Sequence, residues 1–158
     1  MSKDVKTNAM RILDKLGVPY ECNFYKCDNF VDGVSVADML GQSYDSSFKT
    51  LVTVGKSGEY FVFVIPIDKE LDLKKAAKLA GEKSVEMVAV KNILSVTGYI
   101  RGGCTPIGMK KKYKTVFHST LTDYEKVIIS AGKLGAQIII APNDLLKATD
   151  GIVADIIK

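Results

Sequence analysis

The sequence predicts an α+β domain, and three observations carry that expectation. Strand-like apolar runs alternate irregularly with short helix-periodic segments, so regular crossover helices cannot join all the strands. One hairpin is plain: residues 48–54 and 60–65 are β-rich, and the glycine-containing loop Gly55-Lys56-Ser57-Gly58-Glu59 separates them. The length of 158 residues fits a single domain spanning 1–158, at roughly one domain per 100–200 residues.

Each element follows from local pattern. Residues 4–16 predict a helix, because Val5, Ala9, Ile12, Leu13 and Leu16 recur at three- and four-residue spacing before Gly17 and Pro19. Residues 20–25 predict a strand, and 34–40 a short helix begun by Ser35 and closed by Gly41. Pro66 ends the second strand of the hairpin. Residues 72–80 predict a helix with Leu73, Ala76, Ala77, Leu79 and Ala80 inward and Gly81 as its stop. A strand over 85–88 and a short helix over 92–96, turning at Gly98, come next. Further strands are expected over 115–118, 126–130 and 137–141. Asn143 then caps a helix through Ala148, and 152–157 closes the sheet. The chain shows no repeat, linker or low-complexity segment.

Charge is concentrated in one place. Arg101, Lys110, Lys111, Lys112 and Lys114 fall in a window without an acid. Without those five, 22 basic residues become 17 against 18 acidic ones, so the whole positive excess of +4 sits in that window. Just before it lie Gly102-Gly103 and Pro106, residues of a tight loop that another molecule can approach closely. A close-approach loop beside a cationic strip suits a polyanion such as nucleic acid, although lysine runs are also ordinary solvated surface.

Three cysteines argue against a disulfide framework, and Met1-Ser2-Lys3-Asp4-Val5-Lys6 has no apolar signal segment. No run approaches transmembrane length. A cytoplasmic protein with no membrane partner is expected.

Few residues suggest catalysis outright. Gly55-Lys56-Ser57 lacks the glycine and following helix of a phosphate-binding loop. Cys22, Cys27, Cys104 and the single His118 lack paired zinc-ligand spacing, and neither a metal nor another cofactor is expected. Cys104 with His118 leaves a cysteine hydrolase conceivable, beside the plainer account of a small residue in a turn. Lys49 shares a strand face with Leu51 and Thr53. It is either partly enclosed in a cleft or an exposed residue at the strand start, and the residues alone leave both open.

Taken together, several blocks resemble the YbaK family of trans-acting aminoacyl-tRNA deacylases, relatives of the editing insertion of bacterial prolyl-tRNA synthetases. They are Leu16-Gly17-Val18-Pro19-Tyr20, Tyr25-Lys26-Cys27-Asp28, Phe48-Lys49-Thr50-Leu51-Val52, Leu71-Asp72-Leu73-Lys74-Lys75-Ala76-Ala77 and Val85-Glu86-Met87. The most specific block is Thr97-Gly98-Tyr99-Ile100-Arg101-Gly102-Gly103-Cys104-Thr105-Pro106-Ile107-Gly108 with Lys111-Lys112, and Ser130-Ala131-Gly132-Lys133-Leu134-Gly135 completes the series.

The resemblance implies a mixed, barrel-like sheet flanked by short helices. It also implies hydrolysis of mischarged aminoacyl-tRNA, most often Cys-tRNA(Pro) and next Ala-tRNA(Pro), with prolyl-tRNA synthetase as a further partner. Lys49 matches the family's essential lysine and Thr50 its neighbour in the pocket, while Tyr25, Gly102, Gly103 and Ser130 match pocket residues. The family's chemistry is substrate-assisted: a hydrolase, or a lyase if the substrate's own thiol cyclises. On this model Gly102 and Gly103 receive the ester carbonyl, and Arg101 with Lys110, Lys111, Lys112 and Lys114 meets tRNA phosphates.

This sequence departs from the family in three places. Gln137 stands where members acting on Cys-tRNA(Pro) carry an aspartate; it can hydrogen-bond but cannot act as a base. Met109 replaces a polar residue, and Cys104 stands where other members have different small or aliphatic residues. A non-catalytic tRNA- or synthetase-binding module is therefore the alternative from another class.

Overall fold

The computed structural model describes residues 6–158, so the first residues of the expected N-terminal helix, including Val5, lie outside the described residues. Helix α1 (Asn8–Leu16) begins where the Thr7 side chain accepts from the Met10 N–H. Ala9, Met10 and Leu13 enter the core, whereas Leu16, at the same spacing, stays exposed. Helices α2 (Gly33–Leu40), α3 (Leu73–Ala80), α4 (Val90–Thr97) and α5 (Pro142–Thr149) complete the helical set among the described residues.

Two helix starts differ from expectation. Asp32, not Ser35, caps α2: its carboxylate accepts from the Ser35 N–H at 2.8 Å and the Ser35 hydroxyl at 3.0 Å. In α5 Pro142 occupies the first turn, so Asn143 lies inside the helix and no side chain caps it. A short 3-10 turn, Ser119–Asp123, was not marked by any sequence pattern.

The strands β1 (Glu21–Phe24), β2 (Phe48–Gly55), β3 (Tyr60–Pro66), β4 (Val85–Met87), β5 (Lys114–His118), β6 (Val127–Ser130), β7 (Ala136–Ile140) and β8 (Ile152–Ala154) form two sheets. The larger runs β4-β2-β3-β5-β8, antiparallel through β4, β2 and β3 and parallel from β3 to β5 to β8. The smaller is the antiparallel trio β1-β7-β6. The class is the expected mixed α+β, but the strands do not close into a barrel. The sheets touch at the isolated parallel bridge Ser47↔Ile128, where the Ile128 N–H donates to Ser46 at 2.9 Å. The final strand stops at Ala154, although Ile157 bridges back to Leu71.

Strand β3 explains why the sheets sit as they do. Phe61 through Ile65 are all buried, the continuous apolar run of a strand covered on both faces. Phe61, Phe63 and Ile65 pack with Ala76 and Ala77 of α3, Leu71 and Ile156. Val62 and Val64 point the other way, into a core with Met10 and Leu13 of α1, Ile129 of β6 and Ile138 of β7. Period-two alternation thus divides one strand between two cores. Each such side chain contributes about 1.5–3 kcal/mol on full burial.

Candidate functional site

Between the sheets lies a cleft of about 450 Å³. The opening half of β2 forms one wall, from Phe48 to Val52. This half is accessible because β4 pairs only with Thr53, Val54 and Gly55. Ser130 and Gln137 of the small sheet form the opposite wall, and Tyr25, Phe30, Arg101 and Gly102 belong to the loops that close over it.

Lys49 is half-buried in that wall, which resolves its two sequence-level readings in favour of the cleft. Among the described residues it makes no hydrogen bond or ion pair. Desolvation lowers its pKa, and the more distant carboxylates of Asp68, Glu70 and Asp32 oppose that shift. An ammonium so placed is poised for an anionic or strongly polar ligand group.

Asn23, Gln137 and Ser130 stand in register across β1, β7 and β6, so their side chains share one sheet face. Gln137 is held by amides. Its Oε1 accepts from Gln42 Nε2 at 2.8 Å and Asn23 Nδ2 at 3.2 Å, while its Nε2 donates to Gln42 Oε1 at 3.1 Å. The Gln42–Gln137 pair is reciprocal and carries no net charge. Neither Gln42 nor Asn23 was marked by sequence pattern, because each reaches Gln137 across 95 or more positions of chain.

The glycine pair divides. Gly102 lines the cleft with φ at +87°, and its N–H is unpaired among the described residues. A Cβ there would lie 2.8 Å from Leu134 Cδ2 and 3.0 Å from Phe30 Cδ1. The Ser130 hydroxyl donates to the Gly102 carbonyl at 3.4 Å, tying the loop to β6. Gly103 is buried behind it and does not line the cleft. Its N–H already donates to the Ile100 carbonyl at 3.0 Å, so it is not available to receive an ester oxygen. Gly103 is required for another reason: a Cβ would meet the Lys133 backbone at 2.9 Å.

The cationic residues divide as well. Arg101 joins the cleft, its guanidinium 4.0 Å from the centroid of the Phe30 ring. The lysines stand apart from it. Lys112 pairs with Asp150, and Lys114 Nζ donates to the Leu79 carbonyl at 2.7 Å. Lys110 and Lys111 are exposed, and Lys111 borders a smaller hollow with Ile12, Met109 and Tyr113.

Cys104 reaches the cleft, but burial pushes its thiol up to about 11. His118 is buried outside the cleft with Nδ1 accepting from the Ile156 N–H at 3.3 Å, and burial lowers its pKa. No thiol–imidazole pair forms, which removes the geometry that a cysteine hydrolase needs. Among the described residues no cluster of three or more His, Cys, Asp or Glu is placed to hold a metal, and no helix is long and apolar enough to cross a membrane.

Residues 31–148 match the family model for an aminoacyl-tRNA editing domain. The chain belongs to that family. It is 48% identical to the candidate Cys-tRNA(Pro)/Cys-tRNA(Cys) deacylase EbsC of Enterococcus faecalis, over 96% of this chain and 93% of that one. A stretch covering 48% of the chain is 33% identical to 13% of the proline–tRNA ligase of Fervidobacterium nodosum. Among solved structures, a candidate trans-editing enzyme for prolyl tRNA synthetase superposes with a TM-score of 0.83 at 23% identity. That superposition covers 98% of this chain and 99% of the other, and it shows the shared fold. The editing family and its fold thus agree with the resemblance carried by the sequence blocks.

Proposed function

We propose that this chain, acting as one domain over residues 1–158, is a trans-acting deacylase. It clears mischarged aminoacyl-tRNA, with Cys-tRNA(Pro) as first substrate and Ala-tRNA(Pro) next. The observation that carries this reading is Lys49, a half-buried ammonium unpaired among the described residues, in a cleft also lined by Tyr25, Thr50, Gly102, Ser130 and Gln137. EbsC is similar along almost the whole length of both chains and supports the substrate assignment. The relation to part of a proline–tRNA ligase supports prolyl-tRNA synthetase as a partner in the cytoplasm, where tRNA is charged.

The reaction cleaves the ester between the amino acid and the terminal ribose. Water adds its hydroxyl to the acyl carbon, the ribose oxygen takes the proton, and free amino acid leaves. With a cysteinyl ester the substrate's own sulfur can instead bond to the acyl carbon, releasing the same ribose hydroxyl and a thiolactone. Neither route needs a protein nucleophile, so position and electrostatics supply the catalysis. Lys49 holds the terminal phosphate or ribose end. The Gly102 N–H meets the carbonyl oxygen as negative charge develops, and Gly103 acts by letting that loop sit against Lys133. Tyr25, Thr50 and Ser130 line the amino-acid pocket, and the amide pair of Gln137 and Gln42 closes it with uncharged polar groups. Lys110 and Lys111 meet phosphates of the acceptor stem.

A panel of mischarged tRNAs tests the reading, Cys- and Ala-tRNA(Pro) first. Turnover that Lys49→Ala abolishes and Cys104→Ala preserves is the expected result. Binding without turnover of any charged tRNA would instead make the chain a tRNA- or synthetase-binding module, and loss in Cys104→Ala would restore the cysteine hydrolase.

A further inference from the structure

Among the described residues, the charged side chains that line the cleft are Lys49, Arg101 and one acid, Asp32. Cations suit the phosphate and ribose end of a tRNA; an acid does not. Asp32 caps α2, its Oδ1 accepting from the Ser35 N–H at 2.8 Å and its Oδ2 from the Ser35 hydroxyl at 3.0 Å. That role needs no charge, since asparagine and serine cap helices about as well. Nor does it exhaust the group. An ionised carboxyl offers about four acceptor sites, and Ser35 fills one on each oxygen. Among the described residues Asp32 has no ion pair. Its backbone is braced, because a Cβ on the next residue, Gly33, would lie 2.9 Å from Ile67 Cγ2 in the same cleft wall. The two Ser35 bonds hold its pKa below the ordinary carboxylate value, so the group is ionised at neutral pH. Its field reaches Lys49, where it opposes the downward shift caused by burial.

We propose that Asp32 accepts the α-ammonium of the aminoacyl group and thereby selects esters whose amine is free. This inference rests on the deacylase reading for the identity of the ligand, but on the charges of the cleft for the contact. An aminoacyl ester carries an amine on the carbon next to the acyl carbon, largely protonated at neutral pH. Lys49 and Arg101 repel that cation. The amide of Gln137 is a poor alternative, because its Oε1 already accepts from Gln42 and Asn23. Asp32 keeps an open acceptor site on each oxygen and carries the complementary charge. Esters whose amine is acylated, as in peptidyl-tRNA or N-formylated aminoacyl-tRNA, lack the cation and would be held less well. Discrimination of this kind rejects by a lost ionic hydrogen bond, and it acts whichever side chain the amino acid bears.

The test uses the full chain and two acceptor-stem hairpin RNAs that carry alanine at the 3′ end through an amide in place of the ester. One has a free α-amine and the other an N-acetylated amine. Wild-type protein should bind the free amine about 3- to 10-fold more tightly, the effect of a charge-assisted hydrogen bond weakened by the exposure of the carboxylate. Asp32→Asn keeps the helix cap and removes the charge, so the ratio of the two affinities should fall close to one at an unchanged melting temperature. Asp68→Asn is the control for field without contact. Asp68 also acts on Lys49 but does not line the cleft, and its loss should preserve the ratio. Three results would overturn the seat: a wild-type chain that shows no preference, a preference that survives in Asp32→Asn and so reflects the bulk of the acetyl group, or an equal loss in Asp68→Asn. Turnover is scored separately with the charged-tRNA panel. A chain that prefers the free amine yet turns over no charged tRNA keeps the ammonium seat and loses the enzyme.

Discussion

Lys49 and Cys104 share a cleft, and burial acts on both, yet it selects opposite roles for them. Burial favours the uncharged form of each group. For the thiol, that means a value near 11, so about one Cys104 in a thousand is ionised at pH 8. Alkylation at pH 8 should therefore label exposed Cys22 quickly and leave Cys104 unmodified until the chain unfolds; mass spectrometry of the labelled peptides checks this. For the lysine, burial lowers the value, and no described residue pairs with the charge. Where turnover needs protonated Lys49, activity is present below the folded pKa and lost as pH rises through it. The alkaline limb of the pH–rate profile should thus fall earlier than the ordinary lysine value of 10.5 would place it. The same shift has a stability sign. The folded state releases this proton more readily than the unfolded chain, so charged Lys49 costs stability at neutral pH, and the cost fades as pH rises toward 10.5. Lys49→Met should abolish turnover with an unchanged or higher melting temperature at pH 7, and the difference should shrink at alkaline pH. Sequence pattern could mark Lys49 only as a charge within a β-rich run. What it could not express is the absence of a neighbour, which depends on where β4 stops pairing along β2. Gln42 and Asn23 carry no local signal for the converse reason, since their partner Gln137 is remote in sequence.

Elements were legible wherever a local rule suffices. The β2–β3 hairpin and the helices ending at Gly17, Gly41 and Gly81 follow from periodicity and a left-handed C-cap. The parallel pairing of β3 with β5 and the split of the strands into two sheets join distant segments, and no local pattern announces them. The loop between α4 and β5 shows the difference in one pair of residues. Gly102 and Gly103 look equivalent in sequence, but one faces the cleft and the other supports it from behind. Alanine at 103 would press a methyl onto the Lys133 backbone, which has no side-chain freedom with which to yield. The expected cost is about 1–3 kcal/mol. At about 2–4 °C per kcal/mol for a chain of this size, calorimetry should register a lower melting temperature. Because the Gly103 N–H is already bonded to Ile100, the folded fraction of Gly103→Ala should retain measurable turnover, whereas loss of Lys49 leaves none.

Across the whole molecule, the count of charges and their availability diverge. The sequence places its entire positive excess in Arg101, Lys110, Lys111, Lys112 and Lys114, as though five cations faced one partner. The fold disperses them. Arg101 is drawn to the cleft mouth, Lys112 is engaged by Asp150, and Lys114 caps the Leu79 carbonyl. Lys110 and Lys111 keep exposed ammonium groups without a partner among the described residues. Each phosphate contact adds about 0.7–0.9 to the slope of log affinity against log salt. Lys110→Ala and Lys111→Ala should each flatten the measured slope for tRNA by about that amount. Lys114→Met should leave the slope unchanged, because its ammonium is occupied inside the chain. Filter binding or fluorescence anisotropy across a salt series reads all three variants. A slope that drops equally for Lys114→Met would mean that RNA displaces the Leu79 contact, so that the tRNA-facing surface extends along β5 toward the end of α3.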